Sequence, residues 1–66
     1  MNIGEKVKRK LDEKGVKISW MADKLGISRP SFSQRIKGKP EFRHSELVKI
    51  TELLSLPSDF NWFSND

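Results

Sequence analysis

The run Arg29-Pro30-Ser31-Phe32-Ser33-Gln34 holds two side chains whose hydrogen-bonding atoms come in pairs. A guanidinium can donate to guanine O6 and N7 together, and a carboxamide can engage adenine N6 and N7 in the same two-point way. Ser33 stands beside Gln34, and Pro30 offers only an apolar surface, of the kind that suits a thymine methyl. Arg29, Pro30, Ser33 and Gln34 are therefore candidate base readers, provided that they share the outer face of a helix entering a DNA groove by its N-terminal end. A plainer reading stays open, in which Arg29 only neutralises phosphate and Gln34 is merely exposed, because most protein–DNA hydrogen bonds go to the backbone.

Other chemistries have less to work with. Cysteine is absent and His44 is the only histidine, so thiolate and multi-histidine metal sites are excluded and a serine–histidine pair has no motif around it. No cofactor is called for. Asp12, Glu13 and Asp23 are read as solvated or paired with lysines, not as a catalytic set. A chain of 66 residues buries only ~60% of the surface it exposes when unfolded, which leaves little room for a deep substrate cavity. An enzyme is disfavoured. Apolar runs stop at three residues, Trp20 to Ala22, far below the ~20 needed to span a bilayer, and the polar N-terminus does not resemble a signal peptide. The expectation is one cytoplasmic domain over residues 1–66.

Charge is distributed unevenly. Residues 1–43 carry twelve basic and five acidic side chains, whereas residues 44–66 carry one basic and four acidic, for a net charge of +4. Such polarity draws a polyanion to one face and leaves the other for protein contacts. Lys6, Lys8, Arg9, Lys10 and Lys14 crowd the first helix, but its apolar stripe of Ile3, Val7 and Leu11 is too thin for a membrane-surface helix.

The elements that must position these residues read as helices divided by glycine and proline. Asn2 and Glu5 have capping-box spacing, Val7 and Leu11 recur at four, and Gly15 ends the pattern, which predicts a helix over 3–14. Met21, Ala22 and Leu25 predict a second over 18–25, stopped by Gly26. Ser28 is a good N-cap, Pro30 fits a first turn, and Phe32 and Ile36 share one face of a third helix that ends before Gly38. Residues 39–43 form a loop. Leu47, Val48, Ile50, Leu53 and Leu54 mark a fourth helix, with Pro57 beyond it, and residues 58–63 suit one or two further helical turns. The fold class is all-α, a compact domain of four to five helices in which helices 2 and 3 form a helix-turn-helix.

Ala22 at the helix crossing, Gly26 four residues later, the packing residues Met21, Leu25, Ile27 and Phe32, the Gly38-Lys39 step and the Leu-Leu-Ser-Leu-Pro-Ser-Asp-Phe segment together resemble the phage repressor and Cro-type helix-turn-helix family. The resemblance covers nearly the whole chain. It departs at Ile18, where many members have a phosphate-touching glutamine, at Pro30, where a hydrogen-bonding side chain is common, and at Arg35, where an apolar residue is usual and Ile36 takes over the packing.

The resemblance implies backbone phosphate contacts from Lys37, Lys39 and Arg43 around the loop after the third helix, with the Gly38 amide as a further donor. Ser31 either caps that helix or touches phosphate. It also implies a sequence-specific transcriptional regulator binding double-stranded operator DNA as a homodimer. A second reading is an antirepressor that uses the same small fold to bind a partner phage repressor as a heteromer. Trp20 and Trp62 are the candidate protein-interface residues. Trp20 is either partly buried against helix one or exposed for a partner. Phe60 and Phe63 can share one helical face, which would leave Trp62 pointing away from the core.

Overall fold

A computed structural model describes residues 2–63. They form four helices: α1 (Ile3–Lys14), α2 (Ile18–Leu25), α3 (Arg29–Ile36) and α4 (His44–Leu53), with no strand among the described residues. The capping box at the start of α1 is reciprocal. Asn2 Oδ1 accepts from the Glu5 N–H at 2.8 Å, while Glu5 Oε1 accepts from the Asn2 N–H at 3.4 Å. Two orphan donors of the first turn are thereby satisfied.

The helices end by a common device. Beyond α2 and α3, Gly26 and Gly38 adopt φ values of 74° and 83°, a left-handed conformation that is cheap without a β-carbon. The next amide then closes back on the helix, Ile27 onto the Ala22 carbonyl at 3.1 Å and Lys39 onto that of Gln34 at 3.1 Å. Ser55 takes the same role after α4 at φ 56°, with the Leu56 N–H on the Thr51 carbonyl at 3.0 Å. That position carries a β-carbon and its steric cost.

Val7, Leu11, Met21, Phe32 and Ile50 are fully buried, and Ala22, Phe42, Leu47, Leu54 and Trp62 complete the core. α3 packs on α1 and α2, and α2 on α4. Gly4 lies so close to the end of α3 that a β-carbon there would collide with the Ile36 carbonyl. Ile36 itself packs against the core, as the spacing predicts. Phe42 belongs to that core too, meeting Phe32 edge to face with ring centres 5.3 Å apart. The loop reading of residues 39–43 contained no hint of this anchor.

At the C-terminal end the lower of the two expected helix counts holds, and the expectation for the aromatic side chains fails. Residues 58–63 form turns at 58–59 and 62–63, so there is no fifth helix among the described residues. Without a helix, three-residue periodicity does not govern which aromatic faces inward. Trp62 is the buried one, at 4% exposure, and Phe63 is the exposed one, at 69%. The indole Nε1 donates to Thr51 Oγ1 at 2.9 Å, and that hydroxyl donates onward to the Leu47 carbonyl at 2.8 Å. Phe60 packs edge to face on Trp62, 4.6 Å between ring centres, beneath the Lys10 ammonium. Trp62 is therefore a core residue with a satisfied N–H, and the prediction that it points outward to a partner is corrected.

Candidate nucleic-acid interface

The rotation of α3 is set from inside. Phe32 is fully buried and Ile36 half-buried, so the helical period turns Arg29, Pro30, Ser33 and Gln34 to solvent, and all four are exposed. Ser28 opens the helix with its Oγ accepting from the Ser31 N–H at 3.2 Å, and Pro30 sits in the first turn, where an N–H would have no helical partner. Ser31 is half-buried and engaged locally: the Ser28 hydroxyl donates to its Oγ at 2.9 Å, and its carbonyl accepts from Arg35 at 3.4 Å. Its place is at the cap.

Arg35 behaves unlike the other cations of this segment. Its Nε meets Glu46 Oε1 at 3.1 Å, with both side chains only 12% exposed. The same carboxylate oxygen accepts from the Arg43 N–H at 2.8 Å. One acidic side chain thus ties the last turn of α3 to the first turn of α4 and holds both ends of the loop between them. Arg35 is thus held by an ion pair, while Ile36 beside it packs against the core.

Around that tether Lys37, Lys39 and Arg43 are exposed. Together with Arg29 they make no ion pair among the described residues, whereas on α1 Lys8 pairs with Asp12 and Lys10 with Glu13, each at 3.2 Å. The Gly38 amide does not join this set. It donates to the Arg35 carbonyl at 3.0 Å and the residue is half-buried, so the expectation of a free loop donor there is corrected: the helix end consumes it.

A shallow groove of about 420 Å³ runs from Arg29 to the turn between α1 and α2, bringing Lys17, Ile18 and Ser19 alongside the start of α3. Lys17 is exposed and makes no ion pair among the described residues, so the cationic surface continues onto the beginning of α2. Sequence reasoning passed over Lys17 because nothing in its neighbours shows that residues 17 and 29 lie together. Trp20 is 44% exposed, leans on the Gly15-Val16-Lys17 turn, and carries the Lys24 ammonium 5.3 Å above its ring. Of the two expectations for it, the structure shows the exposure.

Among the described residues no three histidine, cysteine or acidic side chains gather to hold a metal, and no helix is long and apolar enough to cross a membrane. Comparison with family models, with curated proteins and with solved structures finds no match, so the surface is read from its own geometry.

Proposed function

We propose that this chain is a sequence-specific DNA-binding regulator of Cro type, in which α2 and α3 act as a helix-turn-helix and α3 enters the major groove of an operator. The observation that carries the reading is the single exposed surface formed by the outer face of α3 and the loop after it. It combines two-point hydrogen-bonding side chains, Arg29 and Gln34, with Lys37, Lys39 and Arg43, whose charges no carboxylate among the described residues neutralises. Exposed cations without acidic partners can neutralise a polyphosphate, which releases its own condensed counterions as they bind. In this reading Arg29 and Gln34 meet base edges, Pro30 and Ser33 fill the space between them, and Lys17, Lys37, Lys39 and Arg43 hold phosphates.

The test is selection of bound duplexes from a randomised pool, followed by fluorescence anisotropy on the selected site and on a scrambled one. A preferred site should emerge. If the four phosphate-holding cations each neutralise one phosphate, affinity should fall roughly 10²-fold per protomer as salt rises from about 50 to about 200 mM. No selected sequence, or an affinity indifferent to salt, rejects the proposal.

The exposure of Trp20 beside Lys17 and Lys24 favours one alternative, a protein-binding role in which the same fold occupies a partner repressor. Mobility shift on the intergenic region beside the gene, with and without the neighbouring repressor, separates the two. Binding to the repressor but not to DNA supports the alternative.

A further inference from the structure

The loop between α3 and α4 makes few hydrogen bonds of its own. Among the described residues no backbone–backbone hydrogen bond reaches residues 40–42, so the path of the chain there is fixed by side chains. One is Phe42, buried and set edge to face on Phe32. The other is Glu46, whose Oε1 accepts from Arg35 Nε at 3.1 Å and from the Arg43 N–H at 2.8 Å. Arg35 in turn donates to the Ser31 carbonyl at 3.4 Å, so the link across the loop runs from the backbone of α3 to the backbone at the start of α4. A segment without such anchors explores many conformations, and a ligand that needs one of them binds more weakly by the entropy of ordering it.

What the carboxylate leaves alone matters as much. Glu46 takes the main-chain N–H of Arg43 and not its guanidinium, and its ion pair is with the half-buried Arg35. Lys37, Lys39 and Arg43 therefore stay exposed with no acidic partner among the described residues. The carboxylate is turned inward to hold the chain while the outward cations keep their charge. Acting through charge alone, Glu46 would weaken phosphate binding, and its removal would strengthen it. Acting through geometry, it does the opposite.

We propose that Glu46 is a positioning residue for phosphate binding: through Arg35 and the Arg43 N–H it holds Lys37, Lys39 and Arg43 in one arrangement before any ligand arrives. The proposal rests on the reading of this surface as a DNA contact, but it concerns the phosphate part alone, which carries no sequence information. An acidic residue is thereby given a favourable role in binding a polyanion, and that sign separates it from plain electrostatics.

The experiment is fluorescence anisotropy on a random-sequence duplex at about 50 mM salt and well below Tm, with circular dichroism of every variant. Backbone amide relaxation by NMR is measured on the protein without DNA. Glu46→Ala removes both the charge and the acceptor and should weaken binding about tenfold. Glu46→Gln loses the charge but keeps an oxygen for the Arg43 N–H, so it should be only about threefold weaker than wild type. It carries the test if Glu46→Ala does not fold. Glu41→Ala takes the same charge from an exposed position on the same loop and should strengthen binding about twofold. The salt dependence should be the same in both Glu46 variants as in wild type, because the same cations reach the phosphates once bound. In the free protein the amides of residues 37–43 should relax like those of α4, and in the Glu46 variants they should become more mobile while the helices do not. A folded Glu46 variant that binds as tightly as wild type or tighter overturns the proposal, as does a loop equally rigid without the carboxylate. Absence of a preferred site defeats the sequence-specific reading but not this one. A preferred site bound equally well by wild type and Glu46→Ala defeats this one alone.

Discussion

The surface of α3 and the corner where α4 meets the C-terminal turns are both rich in polar groups, and they treat them in opposite ways. At the corner, the Trp62 indole, the Thr51 hydroxyl and the Leu47 carbonyl form a closed relay inside the core. On α3 and the loop after it, Arg29, Lys37, Lys39 and Arg43 stay exposed with no acidic partner among the described residues. A buried polar group left without a partner costs stability, so the corner must satisfy its own. An exposed charge in water bears no such obligation and keeps its capacity for a ligand. The contrast separates groups that build the domain from groups that are left for something else.

Substitutions should divide along the same line. Trp62→Ala removes a large buried side chain and should destabilise by about 3–5 kcal/mol. In so small a domain that is a fall of roughly 12 °C or more in Tm, measured by thermal circular dichroism. Trp62→Phe keeps most of the ring but loses the N–H, and should cost only about 1 kcal/mol beyond its smaller packing volume. If Trp62→Ala melted like wild type, the corner would not be structural and the comparison would collapse.

Arg35 tests the boundary between the two regions, since it lies on α3 yet belongs to the scaffold. Arg35→Ala leaves Glu46 with the Arg43 N–H but without its cation, and should cost about 2–3 kcal/mol, less than for a fully buried pair because both side chains are 12% exposed. The salt dependence of DNA binding should not change. A shallower slope would move Arg35 among the phosphate contacts.

Arg29→Ala and Gln34→Ala are the mirror image. Each should leave Tm within about 2 °C of wild type while costing about 1–3 kcal/mol on the selected DNA site and relaxing discrimination at one base pair. Equal losses on selected and scrambled duplexes would assign that side chain to the backbone. The smallest effect is a gain: Ser55→Gly relieves a left-handed serine at φ 56° and should stabilise by up to about 1 kcal/mol, without altering DNA affinity. Chemical denaturation reads it, and a loss of stability would mean that the serine side chain contributes something beyond its backbone.

How much of this was legible beforehand follows from the range of the rules involved. The exposure of Arg29, Pro30, Ser33 and Gln34 was, because Phe32 and Ile36 set the rotation of a helix whose start is marked by Ser28 and Pro30. The roles of Phe42, Gly4 and Lys17 were not. Phe42 is buried from within an irregular loop, Gly4 is required by the backbone of a helix thirty-two residues away, and Lys17 joins Arg29 only across a packed interface. The free amide expected at Gly38 was lost to a hydrogen bond on the Arg35 carbonyl at the end of α3.

By itself the sequence determined where the four helices begin and end, because caps, glycine stops and periodic apolar residues act over three or four neighbours, well within reach of a linear reading. It also determined that the basic side chains gather ahead of His44. Only the tertiary structure decided which aromatic at the C-terminal end is core. In a helix, spacing alone would choose. In the turns of residues 58–63 the choice falls to the side chain that can cover α4 and also place its N–H on a buried hydroxyl, and that is Trp62, with Phe63 left in water. Tertiary contact likewise decided that Arg35, one cation among several on its segment, has a carboxylate waiting for it on the next helix.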